Sequence, residues 1–132
     1  MTEHISKNIR LLYHIIAVLI IAFAVCIVFR GFFSGEIIAH SDGGNNDLTY
    51  FNIPTMYHYA EALKQGTVLQ WNPYIYGGFP IFAEGQGSFL YPVNVLIYSI
   101  FDFLTALNLF FILHSVIMGA GVYFFAKKLT GS

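Results

Sequence analysis

The hydrophobic pattern divides the chain into two unbroken apolar runs separated by a long polar and aromatic stretch. The first, Leu11 to Phe29 (LLYHIIAVLIIAFAVCIVF), is 19 residues without a formal charge, and the second, Ala106 to Phe125 (ALNLFFILHSVIMGAGVYFF), is 20. At ~1.5 Å per helical residue, either run is long enough to cross a ~30 Å hydrocarbon core. The pattern therefore predicts an all-α integral membrane protein with transmembrane helices at about 11–30 and 105–126, short tails at 1–10 and 127–132, and a long loop between the spans. A cleaved secretory signal is the rival reading of the first run. Such signals have apolar cores of only ~7 to 15 residues and an A-x-A-like site, which Arg30 and Ile37-Ile38-Ala39 do not resemble, so the anchor is preferred.

The stretch between the spans, about 60 residues, is too long for a simple connection, and long ordered loops usually carry function. It opens on a cluster of turn formers, Ser41 to Asp47. The pattern then turns helical: Pro54 suits a first turn, Met56, Ala60 and Leu63 recur at i, i+4 and i+7, and Gly66 is a natural stop. This predicts a short amphipathic helix at about 54–65, lying in the membrane interface among Tyr50, Phe51, Tyr57 and Tyr59. Beyond it, prolines at 73, 80 and 92 and glycines at 77, 78, 85 and 87 exclude long regular structure, so this part of the 31–91 segment is a folded loop. Its rings, Trp71, Tyr74, Tyr76, Phe79, Phe82, Phe89 and Tyr91, suit either a headgroup layer or stacking on sugars. The apolar run from Pro92 to Phe101 is too short to span, and residues 92–104 are predicted as an interfacial or re-entrant helix with Asp102 at its bend.

Composition strengthens the membrane reading. Hydrophobic residues make up 57% of the chain and charged residues only 10%, against ~25% in soluble domains. A net charge of −1 leaves no basic surface for nucleic acid, and the lone Cys26, inside an apolar run, excludes disulfide frameworks and zinc clusters. Lys7 and Arg10 precede the first span and Lys127 and Lys128 follow the second, which by the positive-inside rule sets both ends in the cytoplasm. The intervening segment agrees with export, carrying Glu36, Asp42, Asp47, Glu61 and Glu84 against Lys64. Arg30 reads as an anchor at the membrane edge.

Three blocks of the loop form an ordered series. They are Asp47-Leu48-Thr49-Tyr50-Phe51-Asn52-Ile53-Pro54, then Gly66 followed by Trp71-Asn72-Pro73-Tyr74-Ile75-Tyr76-Gly77-Gly78-Phe79-Pro80, then Phe89-Leu90-Tyr91-Pro92 with Asn94. The series resembles the N-terminal part of the YfhO-like bacterial membrane proteins, of the GT-C glycosyltransferase superfamily, over about Asp42 to Leu129. The resemblance implies the beginning of a polytopic fold in the bacterial cytoplasmic membrane. It further implies transfer of a sugar from a polyprenyl-phosphate carrier to a cell-envelope glycan or polymer on the outer side. Two spans cannot enclose such a site, so the chain is expected to be a fragment that is inactive alone.

In the related enzymes, an acidic residue in the first external loop acts as general base on the acceptor hydroxyl or, in some branches, helps bind a metal. Asp47 matches it, with Asp42 as second choice. A carboxylate there could remove the hydroxyl proton as the carrier phosphate leaves. Its purely structural alternative is the N-cap of the following helix, a role aspartate favours. Trp71, Asn72 and Tyr74, with Gly77 and Gly78 shaping the backbone, form the candidate substrate-binding set, and packing the loop against the membrane is the competing account. His40 and His58 lack ligand spacing to a second His or carboxylate and read as surface histidines, so neither metal nor other cofactor is assigned. His14, Asn108 and His114 lie within the spans, where contact with further helices of the same protein or of a membrane partner is their simplest account. Gly119 and Gly121 form a small-residue patch for close helix approach. The alternative function is a non-catalytic two-span accessory protein that binds polyprenyl lipids or a larger membrane complex.

Overall fold

The computed structural model describes residues 2–37 and 46–131, and among these the regular elements are all helical. They are α1 (Thr2–Val28), α2 (Ile53–Lys64), α3 (Ile81–Glu84), α4 (Pro92–Ile100) and α5 (Phe103–Thr130). A 3-10 turn (Arg30–Ser34) follows α1, and a π turn (Leu48–Asn52) leads into α2. Two helices are long and apolar enough to cross a membrane, over Asn8–Val28 and Phe103–Thr130. The chain separates into two compact units, one of Met1–Ser34 with Phe111–Ser132 and the other of Gly35–Phe110.

In the first unit, α1 lies antiparallel to the later part of α5, with His14 against Tyr123 and Ile21 against Gly119. A Cβ at Gly119 would lie 2.6 Å from Ile21 Cγ2, so the close approach requires glycine there. Gly121, the other half of the anticipated patch, faces open space. Many apolar side chains of the two helices, such as Leu12, Leu19, Phe23, Met118 and Val122, are exposed, as they are on helices whose solvent is lipid. After α1 the chain tightens through a Phe32 N–H bond to the Phe29 carbonyl, and Phe32 meets Phe111 with ring centroids 6.5 Å apart.

The second unit holds the buried core. Tyr59 and Ala60 of α2, Ile97 and Tyr98 of α4, Ile81, Phe89 and Ala106 form one cluster, with Met56, Leu63, Phe51 and Phe79 packed around it. Burial of such side chains contributes ~1.5 to 3 kcal/mol each. The Tyr59 hydroxyl donates to the Phe89 carbonyl at 2.7 Å, which makes its burial affordable. Gly66 (φ +69) stops α2 in a Schellman arrangement: its N–H bonds the Leu63 carbonyl and that of Thr67 bonds Ala62. α4 starts at Pro92 and ends at an extended Phe101. Asp102 then caps α5, its Oδ1 accepting the Thr105 N–H at 3.1 Å. Bonding from the Thr105 hydroxyl and N–H holds the Asp102 carboxyl below its ordinary range.

Candidate functional site

The anticipated loop residues are built onto a small hairpin. Asn72 and Phe79 pair as an antiparallel bridge, each N–H donating to the other's carbonyl at 2.8 and 2.9 Å. Asn72 is 1% exposed, and its Oδ1 accepts the Tyr74 N–H at 3.0 Å, an Asx turn across Pro73. Its Oδ1 is thus committed to the turn, which the side chain holds in place. Tyr76 (φ +52), Gly77 (φ +73) and Gly78 (φ +117) reverse the chain, and only the glycines adopt such values without cost.

This turn leaves its rings outward. Trp71 is 54% exposed, Tyr74 76% and Tyr76 86%. The Trp71 indole lies over Gly78, where a Cβ would come 2.4 Å from Cζ2, so the glycine is the floor on which the indole rests. Tyr74 stacks on His58 of α2, centroids 4.8 Å apart and planes within 17°. His58, read from sequence as a plain surface histidine, is therefore half-buried under a tyrosine ring. That pairing had no sequence signal, because it depends on where the hairpin folds back. Tyr76 stands edge-on to Phe79.

Asp47 is exposed at the start of the π turn, and its carbonyl accepts the Asn52 Nδ2–H at 3.1 Å. Its carboxylate caps nothing, contrary to the structural alternative considered for it. The cap lies one residue earlier: Asn46 Oδ1 accepts the Thr49 N–H at 3.0 Å and the Thr49 hydroxyl at 3.3 Å. Asp47 itself has helical φ and ψ, which turns its side chain away from the first free N–H groups. The π turn and the hairpin meet through Phe51 and Phe79, edge to face at 6.5 Å. Asp42 and His40 lie outside the described residues. Among the described residues, no three His, Cys, Asp or Glu side chains converge as a metal site.

Asn94, present in the third sequence block but given no role there, is 2% exposed. Its Nδ2 donates to the Ser88 carbonyl at 3.2 Å, clamping the loop before α4, while its Oδ1 has no hydrogen-bond partner among the described residues. A polar residue on the inward face of a short apolar helix was the signal available for it. Polar residues within the apolar runs find partners inside the chain. Asn108 donates to the Glu36 carbonyl at 2.9 Å, and His14 bonds Tyr123. No protein-family model, no curated protein and no solved structure matches the chain.

Proposed function

We propose that this chain is the N-terminal region of a YfhO-like, GT-C-type membrane glycosyltransferase, which transfers a sugar from a polyprenyl-phosphate donor to a cell-envelope acceptor outside the cytoplasmic membrane. The observation that carries the reading is the hairpin of Trp71 to Phe79. It spends backbone strain at Tyr76, worth ~1 to 2 kcal/mol for a side chain in the left-handed region, to hold three large rings outward. Strained, exposed aromatic turns serve ligands better than they serve packing, and sugar rings present apolar C–H faces to such surfaces. Trp71 and Tyr74 are the stacking residues, while Asn72, Gly77 and Gly78 hold their geometry.

Asp47 supplies the proton acceptor. Its carboxylate takes the hydrogen from the acceptor hydroxyl as that oxygen attacks the anomeric carbon, and the carbon–oxygen bond to the polyprenyl phosphate breaks. No helix cap depends on this carboxylate, so Asp47→Asn removes the base with little structural cost. Glycosyl transfer in membranes holding the full-length protein is expected to fall ~100- to 10,000-fold for Asp47→Asn at matched expression. Near-normal activity for Asp47→Asn with loss in Asp42→Asn would move the role to Asp42. Activity in both variants would remove both from the mechanism.

A further inference from the structure

We infer that the end of the helix pair where α1 begins and α5 finishes is a binding site for the phosphate of an anionic phospholipid headgroup. The site consists of Lys127, Tyr123 and His14. Lys127 Nζ lies 3.5 Å from His14 Nε2, and His14 Nδ1 lies 3.0 Å from the Tyr123 hydroxyl. A lysine ammonium only donates, so its pairing with His14 selects the tautomer in which Nε2 accepts and Nδ1 carries the ring proton. That proton is given to the Tyr123 oxygen, which leaves the tyrosine O–H free to donate elsewhere. Lys127 likewise keeps two further N–H donors.

Both residues line one groove. Tyr123 and Lys127 stand four residues apart on one face of α5 and, with Ala126 and Thr130, line a cavity of about 340 Å³. The Thr130 hydroxyl is used up on the Ala126 and Lys127 carbonyls. Among the described residues, the one ion pair is Lys64 with Glu61, and none of the described carboxylates pairs with Lys127. The last-turn carbonyls of α5 carry only about half a unit of negative charge, against the two ammonium groups of Lys127 and Lys128. A cationic groove offering donors, at the end of a membrane-spanning pair, matches an anionic headgroup phosphate. The proposal rests on the two helices crossing a bilayer and is independent of any glycosyl transfer.

The test reconstitutes the chain in vesicles of phosphatidylcholine containing phosphatidylglycerol and measures the phosphatidylglycerol retained by native mass spectrometry. Any lysine near an anionic surface contributes roughly fivefold to binding, so Lys128→Gln sets the baseline. Lys127→Gln is expected to lose roughly tenfold or more. Tyr123→Phe, which changes no charge, is expected to lose roughly fivefold while keeping its helical content by circular dichroism. Equal losses for the two lysine variants, together with wild-type binding by Tyr123→Phe, would reduce the site to diffuse electrostatics and overturn it. Displacement of the lipid by millimolar inorganic phosphate would overturn the lipid assignment in favour of free phosphate. Failure of the wild type to insert, seen as extraction by alkaline carbonate, would overturn the membrane reading and this proposal together.

Discussion

Gly77 and Gly78 look alike in the sequence, yet they do different work. Both have positive φ, but Gly77 opens onto free space whereas Gly78 lies beneath the Trp71 indole. Gly77→Ala should therefore cost only its backbone strain, ~1 kcal/mol, and leave the indole undisturbed. Gly78→Ala adds a clash with ring atoms and should cost ~2 to 3 kcal/mol while displacing Trp71. Trp71 is the single tryptophan, so its emission reads the difference directly: a shifted maximum is expected for Gly78→Ala and an unchanged one for Gly77→Ala. The two-glycine turn was legible in the sequence, but the ring contact was not, because the partners lie seven positions apart along the chain. The same limit applied at the cap. Asn46 and Asp47 are both good capping residues, and only the backbone angles at Asp47 give the task to Asn46.

Among the helices, α2 was the most legible in the loop, since its start at Pro54, its apolar spacing and its glycine stop are local signals. Its inward face holds Ala60, with Met56 and Leu63 packed against the core as their spacing indicates, and extends to Tyr59 and Thr55, which are buried beside Ala60. What determines that face is α4, whose Tyr98 meets Tyr59 edge to face at 5.9 Å. Burial raises the Tyr59 phenol above its ordinary value of 10.0, and burial, reinforced by Tyr59, raises that of Tyr98 further. A phenol whose folded pKa lies above its unfolded value favours the folded state fully below pH 10 and progressively less as pH rises towards the folded value. The α2–α4 packing should thus loosen in alkali. In a phenolate absorbance titration, the difference between wild type and Tyr98→Phe is expected to rise only above pH 10 and together with loss of helical signal. A difference curve centred at pH 10 in the folded protein would contradict the burial of Tyr98.

For the whole molecule, the distribution of Lys7, Arg10, Lys127 and Lys128 leads to an expected topology in which both ends are cytoplasmic and the hairpin is outside. In a Cys26→Ser background, a cysteine at Gln70 should react with an impermeant thiol reagent in intact cells, and a cysteine at Ser132 should react only after lysis. Equal reaction at the two positions would contradict it. The sequence by itself determined what depends on neighbours along the chain. An uncharged run of 19 or 20 residues satisfies its own backbone only as a helix, and proline and glycine bound α2 through their own φ preferences. Tertiary structure alone decided what depends on residues far apart: Tyr74 on His58, Ile21 against Gly119, and His14 with partners 109 and 113 positions away. Periodicity states which face of a helix is apolar, but not which distant side chain will meet it. The polar groups at 14 and 108 therefore read as contacts to further helices until folding brought Tyr123 and the Glu36 carbonyl within hydrogen-bond reach.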